Sequence, residues 1–123
     1  ATTPAQFFHL LRRQVIIPSP KPLIVFTPKG LLRHSLCVSS MEELENGLFE
    51  EILDDPTPPK KVKRLLICNG RIYYDLVQER ERLNKQDTAI IRIEQLFPLH
   101  LVVLSLHGVP SHCMQYICVL SMY

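Results

Sequence analysis

The sequence predicts an α/β fold, and three observations predict it. Apolar runs too short for helices recur at Leu23–Phe26, Val62–Cys68 and Thr88–Ile93. The last two flank RIYYDLVQERERLN, from Arg71 to Asn84, whose apolar residues fall at helical spacing. The connections are short, as at Asn69-Gly70. Strand, helix and strand joined in this way make a βαβ unit with parallel strands and a right-handed crossover.

The chain opens on a helix start. Thr3 can cap it, Pro4 suits the first helical position, and Gln6 can close a capping box. Phe7, Leu10 and Leu11 give an apolar face, and Arg12 and Arg13 fall in the last turn, where cations complement free carbonyls. The helix must end before IIPSPKP, which holds Pro18, Pro20 and Pro22. Leu23–Phe26 reads as a buried strand, apolar on both faces. Ser39-Ser40-Met41-Glu42-Glu43 carries overlapping capping boxes, so a short helix starts there and stops near Asn46-Gly47.

Leu48–Leu53 is a candidate brief strand. The run from Asp55 to Pro59 breaks regular structure and is expected to be a linker or domain boundary. In the helix from Arg71 to Asn84, Ile72, Tyr73, Leu76, Val77 and Leu83 form the inner stripe, while Glu79, Arg80, Glu81 and Arg82 face water. Composition changes abruptly at Phe97-Pro98: from Gln95 to Tyr123 there is no Lys, Arg, Asp or Glu. Gly108 and Pro110 interrupt this apolar tail, so no unbroken run reaches the ~18 residues of a membrane helix. Leu99–Leu106 reads equally as a helix or a buried strand.

The 123 residues bound the chain at one ordinary domain at most. A net charge of +2 carries no basic excess of the kind nucleic-acid binders show. The local layout is more uneven. Seven acidic residues between Glu42 and Asp55 are followed by KKVKR at 60–64, read as an acidic surface segment beside a basic strand edge. No charged leader with an apolar core is visible after Ala1. Cys37, Cys68, Cys113 and Cys118 form no Cys-x-x-Cys pair, which favours a reduced, intracellular protein. His107, His112, Cys113 and Cys118 can be assembled into a zinc set, but their spacing matches no common finger or ribbon.

Candidate functional residues are sparse. Asn69-Gly70 lies between strand and helix, where phosphate loops also lie, yet one glycine is what any tight turn there wants. Tyr73 suits the core with its hydroxyl at the rim, and His9 suits a packed, hydrogen-bonded role. Glu94 follows a strand end, where a solvated or salt-bridged carboxylate is the commoner fate. The stretch FTPKGLLRH is more pointed. If Leu23–Phe26 is a parallel strand, Lys29, Arg33 and His34 stand beyond its carboxyl end, where open α/β sheets bind ligands. Arg12, Arg13 and Lys21 can lie near. Such a cluster can hold a carboxylate or phosphate; the alternative is a solvated surface turn.

Five stretches in order carry a resemblance: TTPAQFFHLLRRQ, KPLIVFTPKGLLRH, VSSMEEL, VKRLLICNGRIYYDL and AIIRIEQLFPL. Together they resemble the C-terminal part of the thiamine-diphosphate-dependent decarboxylase, the first component of the 2-oxoglutarate dehydrogenase complex. The resemblance covers residues 2–98, and the related 2-oxoadipate enzyme shares these blocks. It implies a transketolase-like fragment. Residues 1–34 would close the pyrimidine-binding domain, 35–60 would connect, and 61–98 would hold the first βαβ unit of the C-terminal domain, with 99–123 a divergent tail. The family follows the last block with a charged helix and a strand leading to Q-E-E-P; nothing like it occurs between Leu99 and Tyr123. Gly30, Asn69 and Ser35 replace the family's usual Ser, Ser and Pro, all at turns.

The resemblance implies oxidative decarboxylation of 2-oxoglutarate with succinyl transfer to lipoyl groups, performed by the parent and not by this chain alone. Thiamine diphosphate and Mg would belong to the parent, with none expected on this fragment, and no catalytic residue carries over. The implied partners are the dihydrolipoyl succinyltransferase component and a second subunit, with no nucleic acid and no membrane. The implied location is bacterial cytoplasm or mitochondrial matrix. In related transketolases the loop after the equivalent strand faces the active-site mouth, which favours Lys29, Arg33 and His34 as an anion or effector contact. A free-standing α/β module that binds an anion or nucleotide without chemistry remains the alternative from another class.

Overall fold

The structure is a computed structural model that describes residues 1–19, 21–25, 29–96 and 115–119, the last for their backbone alone. The chain divides into two compact units between Glu50 and Glu51. Asp55 and the prolines after it therefore belong to the second unit.

In the first unit, helix α1 spans Pro4–Ile16. Thr3 caps it as expected, its Oγ1 accepting from the Gln6 N–H at 3.2 Å. Gln6 does not close a capping box. Its side chain instead pairs with the backbone of Glu50, accepting from N at 3.0 Å and donating to O at 2.6 Å. Nor is the Phe7, Leu10 and Leu11 stripe the inner one. The buried residues here are Ala5, Gln6 and His9 of α1 with Thr2 just before its cap, whereas Leu11 is 44% exposed. That spacing of three, four and seven is helical, but the face is polar because it serves irregular backbone beside it.

Helix α2 spans Met41–Asn46, with the predicted box complete: Ser40 Oγ accepts from Glu43 N, and the Glu43 carboxylate accepts from Ser40 N. It stops at Gly47, as expected. Gly47 is required for space: a Cβ there would run into the Glu43 carbonyl and lie 2.8 Å from His9 Nε2. Between the helices, Lys29–Arg33 forms a 3-10 turn that buries Leu31. The buried strand expected at Leu23–Phe26 is not found. Residues 23–25 adopt no strand, and Ile24 is 75% exposed. Phe26 lies outside the described residues. An apolar run makes a strand only where a sheet receives it, and the first unit contains no sheet among its described residues.

The second unit is a sheet of order β1-β3-β2-β4. Its strands are β1 Ile52–Leu53, β2 Arg64–Cys68, β3 Thr88–Ile93 and β4 Gln115–Val119. β2 and β3 run parallel, from Arg64 opposite Thr88 to Cys68 opposite Arg92. β4 is parallel to β2, and β1 antiparallel to β3. Every residue of β3 is buried, the signature of a strand covered on both faces. Alternation puts Ala89, Ile91 and Ile93 on one face, where Ala89 and Ile91 join Ile52 and Leu65 in the core. Ile90 and Arg92 lie on the other.

Helix α3, Ile72–Arg82, falls within the predicted span and joins β2 to β3 in sequence. It buries Tyr73 and Tyr74, while Ile72, Leu76 and Val77 are half-buried. Leu83 is 47% exposed and is not part of the inner stripe. Arg80, expected to face water, is held inside by Asp55. Only Ile52–Leu53 of the proposed Leu48–Leu53 strand forms, and Leu48 is 71% exposed. The possible element at Leu99–Leu106 lies outside the described residues.

Candidate functional site

Among the described residues of the second unit, a cleft of about 940 Å³ lies at the amino ends of β2 and β3. It is walled by the segment before β2 and the end of α3 with its following turn, so Lys60, Lys61, Lys63 and Lys85 converge there with Arg80. Glu81 and Asp87 are the acidic residues of the wall. Asp87 lies 3.9 Å from Lys63, both largely exposed, a pair worth little in water. Lys60, Lys61 and Lys85 have no ion-pair partner among the described residues. Lys60, Lys61 and Lys63 of the KKVKR run thus line a basic cleft, at the opposite end of the strands from where open α/β sheets usually bind ligands.

One wall is rigid. Asp55, its side chain 3% exposed, forms an ion pair with Arg80 NH1. The same carboxylate accepts from Ile90 N at 2.9 Å and from Thr57 N at 3.0 Å. Arg80 also donates to Thr88 O and Thr57 Oγ1, both at 3.2 Å. Four hydrogen bonds on a buried carboxylate and its partner satisfy most of what burial would otherwise leave unmet. The charge run ERER gave no sign that Arg80 alone turns inward. The signal available was Asp55 in a proline-rich turn, since Asp often bonds backbone two residues on.

At the carboxyl ends, Gly70 turns the chain with φ 64°, a conformation that favours glycine. The Arg92 guanidinium lies over the Tyr73 ring at 4.1 Å. Burial pushes the Tyr73 phenol above its usual range, with Arg92 acting in opposition. Asn69 Oδ1 is buried without a hydrogen-bond partner among the described residues. These groups offer no paired nucleophile and base.

Lys29 and Arg33 sit exposed on the 3-10 turn, and His34 follows it half-buried, its Nδ1 accepting from Leu36 N at 3.3 Å. The strand end expected to present them is absent from the described residues. Arg12 and Arg13 are engaged elsewhere: Arg12 donates to Gly47 O at 2.8 Å, and Arg13 lies 4.2 Å over Phe49. His9 is the packed histidine expected, 2% exposed. Its Nε2 must carry the proton, because it lies 2.7 Å from the Glu43 carbonyl, which can only accept. No group of His, Cys, Asp and Glu suited to a metal occurs among the described residues, and the side chains of Cys113 and Cys118 lie outside them. Among those residues, no helix is long and apolar enough to cross a membrane.

A parallel pair with a helix between, set in a mixed sheet, defines a small α/β domain without naming it. Residues 38–108 match the family described as 2-oxoglutarate dehydrogenase C-terminal, and the chain belongs to that family. It is 52% identical over 99 residues to the 2-oxoglutarate dehydrogenase E1 component of Azotobacter vinelandii, covering 79% of this chain and 10% of that protein. The Haemophilus influenzae E1 component is also 52% identical, with 79% of this chain and 11% of that protein covered. A 2-oxoglutarate dehydrogenase-like mitochondrial protein of Rattus norvegicus is 48% identical over 111 residues, 83% of this chain and 11% of its own length. The chain spans about a tenth of the length of these relatives.

Proposed function

We propose that this chain is a structural portion of a 2-oxoglutarate dehydrogenase E1 component and has no catalytic activity alone. The observation that carries the reading is the 52% identity spread over 99 residues, against a tenth of the relative's length. The fold is read as transketolase-like, with β2, α3 and β3 as a right-handed βαβ unit opening the C-terminal domain. Residues 1–34 would then close the pyrimidine-binding domain and 35–60 connect the two. The parent would decarboxylate 2-oxoglutarate, or the homologous 2-oxoadipate, and pass the acyl unit to a lipoyl group on its succinyltransferase partner. Thiamine diphosphate would supply the carbanion chemistry when bound. The described residues gather no oxygen-rich set for Mg, so its ligands would lie in other segments of the parent.

The isolated chain, assayed with 2-oxoglutarate, thiamine diphosphate, Mg and a lipoyl acceptor, is expected to show no turnover. Measurable decarboxylation would overturn the reading. Lys29, Arg33 and His34 are proposed as an anion or effector contact in the parent. Replacing all three there with Gln should raise KM for the oxo acid or abolish an anionic effector's action; unchanged kinetics would remove the assignment.

A second reading has its own support in the convergence of Lys60, Lys61 and Lys85 on one cleft. A free-standing module would bind an anion there without chemistry. Its melt would be cooperative and would rise with phosphate or a nucleotide. A broad melt indifferent to both would exclude it.

A further inference from the structure

The two lysine-bearing walls of the basic cleft are joined by backbone. Asp87 O, in the turn after α3, accepts from Lys63 N at 2.9 Å and from Arg64 N at 3.2 Å. The turn is held in its own right, with Asn84 at φ 50° and Lys85 N donating to Arg80 O at 3.0 Å. Lys60, Lys61 and Lys63 on one wall therefore share a space with Lys85 on the other. Glu81 and Asp87 offset part of this charge and leave the lining positive. Arg80 is the guanidinium of the lining, and its fork is occupied by Asp55, Thr57 and Thr88. Bidentate recognition of a planar carboxylate is thus already taken up inside the wall.

We propose that this cleft binds the phosphate chain of a polyphosphate-bearing anion, which spans both walls and is recognised by its charge and not by any group attached to it. The proposal rests on the second reading above for an anion in the cleft, and not on the chain standing free. Lysine engages phosphate as a point charge, so several lysines favour a ligand with several charges along its length. A single phosphate would reach one wall and leave the lysines of the other repelling one another. The volume of about 940 Å³ falls near the top of the range of about 300–1,000 Å³ for small-molecule sites, well beyond what one phosphate fills. No aromatic residue lines the cleft, so a nucleobase finds no ring to stack on.

Titration of the full chain with inorganic phosphate, tripolyphosphate and ATP, without divalent cations, tests this. Amide resonances locate the site and calorimetry gives the affinity. Tripolyphosphate should shift the amides of residues 60–63 and 84–87 and bind about tenfold tighter than phosphate, or more. ATP should bind no tighter than tripolyphosphate. Lys60→Gln and Lys85→Gln, at exposed positions on opposite walls, should each weaken tripolyphosphate about threefold or more. Arg71→Gln removes an equal charge just beyond the carboxyl end of β2 and should leave the affinity unchanged. Equal losses from all three changes would show unspecific attraction and overturn the proposal. Phosphate as tight as tripolyphosphate at these amides, or ATP tighter than tripolyphosphate, would overturn it while leaving an anion in the cleft. No shift of these amides by any of the three ions would overturn both.

Discussion

Asp55 stands opposite Ile90 in the register that β1 and β3 establish, and its carboxylate accepts the Ile90 N–H at 2.9 Å. The pairs Ile52 with Ile93 and Leu53 with Arg92 lead two steps further to this one. The backbone of Pro56 cannot extend a ladder, so a side chain completes what β1 does not reach. Arg80 then closes on the same carboxylate from α3, which ties the turn, the helix and the central strand together.

Asp55→Ala removes that tie and leaves Arg80 buried without its counter-ion. The loss should be in the range of about 3–5 kcal/mol for a broken buried pair. Hydrogen exchange reads it locally: the Ile90 amide should exchange on the order of a hundredfold faster or more. Asp55→Asn, which keeps an acceptor for Ile90, should lie between. Unchanged protection at Ile90 would refute the clamp.

Tyr73 is expected to make the stability of the second unit fall in alkali. Burial raises its folded-state pKa above the unfolded value near 10. Below that unfolded value its contribution is fully present. As pH rises through the folded value, the buried phenol ionises and the contribution is lost. Tyr73→Phe should flatten the alkaline decline of the melting temperature relative to the unaltered chain. Parallel declines in both would contradict the assignment.

Ser40 and Gly47 bracket α2 for different reasons. Ser40→Ala opens the capping box and should cost about 1 kcal/mol, seen as faster exchange of the Glu43 amide. Gly47→Ala adds a methyl where the Glu43 carbonyl and His9 already are, so backbone must shift. Its effect should exceed that of Ser40→Ala and should weaken the His9 bond to Glu43, visible in the His9 ring resonances. A silent Gly47→Ala would show that the segment yields without cost.

Legibility in the sequence followed the range of the cause. The α2 box was readable because Ser40 and Glu43 are three residues apart and act on each other. Thr88–Ile93 was readable because an apolar run buried on both faces needs no alternation. The inner face of α1 was not, since Gln6 and His9 are buried to satisfy Glu50 and Glu43, far along the chain. Polar residues that serve distant backbone keep the helical spacing but leave no apolar period to read. The strand expected at Leu23–Phe26 does not form over the described residues 23–25 for a related reason: a strand needs a receiving sheet, and local composition cannot supply one. The site followed the same rule. Lys60, Lys61 and Lys63 were visible as a charged run, but Lys85 joins them only through the turn after α3.

The central claim is that residues 2–98 are a working part of a larger E1 component. A chimera tests it most directly: these residues replace the matching stretch of the Azotobacter vinelandii protein, and oxidative decarboxylation of 2-oxoglutarate is measured with thiamine diphosphate and Mg. The account predicts turnover comparable with the unaltered protein. A soluble, folded chimera that binds its cofactor but does not turn over would contradict it.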